Sequence, residues 1–365
     1  MKKVLTALIF CLLLTGCWDQ DKLKNMLFVD VIGLDYADNS KQLKASFVTS
    51  SLENANTGGG KPNSLYLEAK GEDLYDAVRY VNKQNPGILS VQQTRLYLIS
   101  SRFAKDQPLD YLNIAGQFLN NPTYAHLALY DGDISKLLEK KKVNDQTVAD
   151  FLVGLIDDEN KRGTFPRNKL LKYMFEGSAF INDFTLTRYE PYENGARLAG
   201  TSLFRDGRYT GFNLNAEDTL LAYLMDGAIG RSQLLVGKIG GESYSILVKN
   251  ANCDYHIIHH DGRIREIEIS LKLDVKLIKN GLKLKKHTNK MLSEMEKKIG
   301  DDITPKASKV IAALQLANCD SLQLGHRVAA YHPMLYEGMN WREEYPKIKI
   351  KPIVKIKILN TGILD

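Results

Sequence analysis

The sequence predicts an α+β protein: a mixed α/β, multidomain chain whose C-terminal part is an antiparallel-rich sheet packed against helices. Three observations predict it. The 365 residues are 44% hydrophobic and 25% charged, the balance of a chain that buries real cores and not of a disordered or polytopic membrane protein. Apolar residues recur at helical spacing through 65–175 and switch to a period of two from about residue 176. Residues 266–277 then alternate strictly between aliphatic and polar side chains, and 347–359 carry Ile348, Ile350, Val354, Ile356 and Ile358 on one parity and Lys347, Lys349, Lys351, Lys355 and Lys357 on the other, with Pro352 marking an edge strand or a bulge, the pattern of strands with one wet face.

The elements follow in order. Phe28–Leu34 reads as a strand and Gln42–Thr49 as its hairpin partner. Thr57-Gly58-Gly59-Gly60-Lys61-Pro62 reads as a loop, and Ser64–Ala69 as another strand. Leu74, Ala77, Val78 and Val81 make a helical stripe within 72–83, stopped by Asn85-Pro86-Gly87. Strands at Thr94–Ser100 and Ala125–Tyr130 alternate with helices at 109–119, 134–141 and 147–159. Strands then cover 177–189, 197–205 and 208–212, with Asp206-Gly207 as a two-residue hairpin turn. Ala216–Met225 is a helix, and 243–250 and 255–260 are strands. Asp261-Gly262 turns into the long strand that carries Ile267, Ile269, Leu271, Leu273, Val275 and Leu277 on one face. Helices follow over 284–299, from Pro305 onward, and over 321–336. The final strand, 347–359, is expected beside 263–278, with the helices on their shared apolar face. The domain reading is a leader over 1–16, an N-terminal region over 17–235 and a C-terminal α+β domain over 236–365. Within the N-terminal region, helix-rich 65–175 is flanked by β-rich 26–64 and 176–235.

The first residues carry an address. Lys2 and Lys3 precede an apolar run from Val4 to Leu14. Eleven helical residues rise only about 16 Å, about half of a bilayer's hydrocarbon core, so the run is a signal h-region and not a span. Leu14-Thr15-Gly16-Cys17 then matches a lipobox, with Cys17 as the lipidation site and cleavage at the Gly16–Cys17 bond. Cleavage leaves 349 of the 365 residues and takes the formal charge from +6 to +4. Two acyl chains on one cysteine hold persistently where one holds weakly. The segment Gln20–Asn25 is short, which sets the first strand close to the bilayer. Cys253 and Cys319 remain as thiols, able to pair or to stay free.

Signals for other chemistry are weak. A mild basic excess argues against nucleic acid as a partner. His256, His259 and His260 sit near a hairpin tip without a carboxylate or cysteine at ligand spacing, so no metal and no cofactor is expected. Phosphate-loop, zincin and nucleophile-elbow motifs do not occur. Asp157-Asp158-Glu159 with Glu176 reads as solvated surface, and so does Lys140-Lys141-Lys142, with anionic head groups as its alternative partner. The C-terminal lysine stripe reads as an edge-guarding wet face, with anionic head groups as its alternative partner. No catalytic residue is expected.

Thr15-Gly16-Cys17-Trp18-Asp19 followed by Lys22-Leu23 resembles the start of the Ger(x)C lipoproteins, the C subunits of nutrient germinant receptors in spore-forming bacteria. Val29–Asp35 is similar to that family's first strand, and Ala199-Gly200-Thr201 through Gly211, continued by Glu217–Leu224, to its middle segment. Asn340-Trp341-Arg342-Glu343-Glu344-Tyr345-Pro346 and Asn360-Thr361-Gly362 resemble its end. Departures lie at Ile358-Leu359-Asn360, where the family has an Arg-rich approach, and at Asp320–Arg327, which fits its Gly- and Phe-containing turn loosely. The resemblance implies three mixed α/β domains and a non-enzymatic subunit required for the response that triggers germination. It also implies an anchor at Cys17 on the outer face of the inner spore membrane and two integral membrane receptor subunits as partners. A solute-binding lipoprotein of a transporter is the alternative. It calls for two parallel-sheet lobes and a hinge, which the alternating C-terminal half does not suggest.

Overall fold

The structure, a computed structural model, describes residues 26–38, 40–53, 61–106, 122–170, 183–227, 233–280 and 289–360. Cys17, Glu176, and the helix expected at 109–119 lie outside the described residues.

A large mixed sheet comes first. β1 (Met26–Tyr36), β2 (Leu43–Glu53) and β3 (Lys61–Gly71) form an antiparallel meander. Lys61 and Pro62, expected in a loop, already pair with Glu53 and Leu52, because the β2–β3 register runs unbroken to that point. α1 (Leu74–Gln84) follows, with Asp73 accepting from the Asp76 N–H as its N-cap. β4 (Ile88–Ser90) and β5 (Leu96–Ser100) then run parallel to β1. α2 (Ser101–Lys105) precedes β6 (His126–Tyr130). α3 (Ile134–Leu138), the small hairpin β7 (Lys142–Val143) and β8 (Gln146–Thr147), and α4 (Val148–Arg162) lead to β9 (Phe184–Tyr192). β10 (Gly195–Arg205) and β11 (Arg208–Asn215) complete the order β11-β10-β9-β6-β5-β1-β2-β3, with β4 also on β1. Four parallel strands, β1, β5, β6 and β9, thus sit between two antiparallel meanders.

The centre of this sheet is covered on both faces. α1 and α2 pack through Leu74, Ala77, Val81 and Phe103 on one, and α3 and α4 through Ile134, Leu137, Val148 and Leu152 on the other. This is why every residue of β5 and β6 is buried and why both read as unbroken apolar runs.

α5 (Ala216–Met225) connects to the second sheet, ordered β12 (Gln233–Ile239), β13 (Glu242–His260), β14 (Arg263–Asn280), β15 (Lys349–Asn360). β13 is one 19-residue strand where two shorter ones were expected. The polar Asn252 and Asp254 simply continue its outer face opposite Lys272 and Ser270. β15 lies beside β14 and parallel to it. The aliphatic parity of both strands faces α6 (Asn289–Leu316).

Pro305, expected to start a helix, lies inside α6. A proline interior to a helix forfeits a hydrogen bond. The apolar stripe Met295, Ile299, Ile303, Ala307, Val310, Ile311 and Leu314 runs straight through it, buried against the sheet, and that burial decides the outcome. α6 also covers the free edge of β15: Thr304 Oγ1 accepts from Val354 N–H (3.2 Å) and Glu296 Oε1 from Ile358 N–H (2.8 Å). The third helical segment is divided into α7 (Leu324–Tyr331) and α8 (Pro333–Glu337), and a further turn, α9 (Trp341–Glu344), precedes β15.

Candidate functional site

Two of the segments that carry the family resemblance, 199–211 and 340–346, meet where the two sheets join. Asp183, just before β9, has a fully buried carboxylate. It accepts from Arg342 Nη1 (2.6 Å) and Nη2 (2.7 Å), from the Asp320 N–H (2.6 Å) and from the Asp206 N–H (3.2 Å). Arg342 also donates to Asp206 Oδ1 (2.5 Å) and to the Asn318 carbonyl (3.2 Å). Burial works against the guanidinium charge, and Asp183 and Asp206 overcome it, holding Arg342 protonated above its usual range.

Asp320 forms the second half of the junction. Its Oδ1 accepts from the Leu324 N–H (2.9 Å) and its Oδ2 from the Gly325 N–H (2.7 Å) and the Trp341 indole N–H (3.0 Å). Burial pushes Asp320 up to about 7, with Asp183 adding to it and the three donors opposing it. Gly325 is required here for space: a Cβ would stand 2.7 Å from Trp341 Nε1. Thus 320–327 and 340–346, separated by the turns of 328–339, interlock through one carboxylate, one glycine and one indole.

Cys319 lies in the same core, its Sγ donating to the Phe204 carbonyl (3.2 Å). Burial, with Asp183 and Asp320 nearby, raises its thiol well above the usual range, so it stays a protonated, inert packing group. Cys253, half-buried on β13, is also free, which resolves the open question of pairing. Gly200 belongs to the same region: it sits at the register break between β9 and β10 with φ +129°, and a Cβ would fall 2.0 Å from the Leu214 carbonyl. A cleft of about 250 Å³ opens beside the junction, between Thr185, Thr201 and Thr219 on one wall and Leu322 and Gln323 on the other.

Other titratable groups are tied into the framework. His126 Nε2 lies 2.8 Å from Asp157 Oδ1 and 2.8 Å from Lys169 Nζ. Burial and then Lys169 lower the His126 pKa, and Asp157 opposes them. Asp158 and Glu159 pair with Lys161 and Arg162 on their own helix. His259 meets His332 edge-on at 5.2 Å, while His256 faces Glu268 across the register. Among the described residues no group of three or more His, Cys, Asp or Glu side chains is placed to hold a metal ion. The junction itself was missed in the sequence; the only signal was a buried-type Trp-Arg pair after a helix and an acid just before a strand. What the arrangement does chemically is lock two sheets together.

Comparison with known proteins agrees with the motifs. A family model described as the spore germination protein N-terminal domain matches residues 19–188, and one described as the spore germination B3/GerAC-like C-terminal domain matches 199–362. The chain is similar to spore germination protein KC of Bacillus subtilis (strain 168), at 21% identity over 100% of this chain and 97% of that protein. Its fold resembles the crystal structure of the GerBC protein with a TM-score of 0.60 at 13% identity, over 90% of this chain and 97% of that one. The chain belongs to the Ger(x)C family of spore germination proteins.

Proposed function

We propose that this chain is the lipid-anchored C subunit of a nutrient germinant receptor, held at the outer face of the inner spore membrane by diacylglyceryl-Cys17. It serves there as a non-enzymatic scaffold for two integral membrane subunits. The observation that carries the reading is the pair of family matches, which together span 19–188 and 199–362 and begin two residues after Cys17. The lipobox at Leu14–Cys17 supports the anchor. Among the described residues no helix is long and apolar enough to cross a membrane. The junction supports the scaffold role, because the motif residues Trp341, Arg342 and Asp206 are engaged in holding the sheets together.

Cys17→Ala tests it. The variant is expected to fold, to leave the membrane fraction, and to fail to restore nutrient-triggered germination to spores lacking the gene. A variant that still fractionates wholly with membranes, or restores germination fully, would overturn the anchored-subunit reading.

A further inference from the structure

One end of the outer face of the second sheet carries aliphatic side chains where polar ones would be expected. Leu234 and Val236 of β12, Ile278 of β14 and Leu359 of β15 are between 45% and 54% exposed. The register gathers them: Leu234 stands opposite Leu247, Leu247 opposite Lys276, and Lys276 opposite Asn360, while Val236 stands opposite Ser245. Ile278 and Leu359 are the extra residues at two register breaks, turned out to solvent beside this row.

Lysines surround the patch. Lys238, Lys249, Lys276 and Lys357 have no carboxylate within salt-bridge distance among the described residues. The nearest acids in the register are Asp274, opposite Lys357 and bonded to Asn250 (3.4 Å), and Glu242, next to Ser243, the partner of Lys238. The other end of the same face is neutralised: Lys349 pairs with Glu266 (2.5 Å), Lys272 with Asp254 (2.8 Å), and Lys351 faces Glu268. Edge protection does not account for the lysines of β15, since α6 already covers that edge through Thr304 and Glu296.

We propose that this end of the sheet is a second membrane contact, which lies on anionic lipid head groups. The aliphatic side chains enter the interfacial layer and the unpaired lysines meet the head-group anions. Charge complementarity selects the bilayer as occupant. The proposal rests on the anchored-subunit reading, because a tether raises the local concentration enough for a weak surface to engage.

The test uses the chain from residue 17 onward with Cys17→Ser, so that no lipid is present, and two vesicle types. One is phosphatidylcholine; the other is equal parts phosphatidylcholine and phosphatidylglycerol. Binding is expected only to the anionic vesicles and should weaken with salt. Lys276→Gln/Lys357→Gln should lose about 25-fold, about fivefold per lysine. Leu234→Ser/Val236→Ser should also weaken binding, and Lys349→Gln/Lys351→Gln, at the neutralised end, should not. Each variant's urea unfolding curve is measured alongside to show that it folds. No binding, equal binding to neutral vesicles, or patch variants that bind like the parent would overturn the proposal. So would patch variants that keep vesicle binding but lose the membrane subunits, since the face would then belong to a protein. Failure of the anchor reading shows separately, as absence of the lipid mass on Cys17 in the native chain.

Discussion

Removing the Arg342 guanidinium should be among the most damaging single changes in this protein. In Arg342→Ala, Asp183 keeps only two backbone donors, from Asp320 (2.6 Å) and Asp206 (3.2 Å), for a carboxylate with no solvent access. Breaking a buried ion pair by deleting one partner costs about 3–5 kcal/mol, because an uncompensated charge stays behind. The arm to Asp206, whose side chain is 63% exposed, adds about 0–1 kcal/mol. The two remaining N–H donors place the expected loss near the lower end, about 3 kcal/mol. Urea unfolding followed by tryptophan fluorescence is a suitable assay, since Trp341 sits inside the junction beside Tyr336 and Tyr345. A double-mutant cycle gives the decisive term: in an Asp183→Asn background, Arg342→Ala should cost about 1 kcal/mol or less. A loss under about 1 kcal/mol in the parent chain, or equal losses in both backgrounds, would refute the reasoning.

Asp320 makes stability pH-dependent in a defined direction. Its folded pKa of about 7 lies above the unfolded carboxyl's, about 3.9, so the folded state holds the proton more tightly. Its contribution is full below about pH 4 and is lost as pH rises from about 4 to about 7; Asp320→Asn should flatten that slope in parallel denaturant titrations. Gly200→Ala should cost about 2 kcal/mol or more, since φ +129° and the Leu214 carbonyl at 2.0 Å both oppose a Cβ, and loss of midpoint in urea reads it directly. Gly300→Ala puts a Cβ 2.7 Å from the Val354 carbonyl where α6 crosses β15, and an overpacking cost of about 1–3 kcal/mol should outweigh the about 1 kcal/mol gained in helix propensity. An unchanged or raised urea midpoint for Gly300→Ala would contradict that close approach.

Local chemistry made much of the fold legible. Asp206-Gly207 and Asp261-Gly262 both take positive φ at both positions, the geometry a two-residue hairpin turn requires, so those hairpins could be read from two letters each. The alternation of aliphatic and polar residues along most of β14 and β15 set which face is wet and brought the helices to the other. What stayed hidden depends on distant partners. The three residues of β4 are ordered by pairing with Met26–Phe28, which no window around 88–90 contains. The passage of α6 through Pro305 is decided by apolar residues on both sides of it. The junction was hidden most completely, because Asp183, Asp206, Asp320 and Arg342 each look like ordinary surface charges until the fold buries them. The motif strings of the resemblance marked several of these residues without saying why; Gly200 serves a register break and Trp341 completes a carboxylate's hydrogen bonds.

Capture of this chain from detergent-solubilised inner spore membranes, through a C-terminal tag and with identification of whatever co-purifies, tests the receptor-subunit reading most directly. Two multi-spanning membrane proteins encoded beside this gene should be recovered with the parent chain and lost with Cys17→Ala. Recovery of the chain alone from intact membranes, or equal recovery of those proteins with and without Cys17, would contradict it.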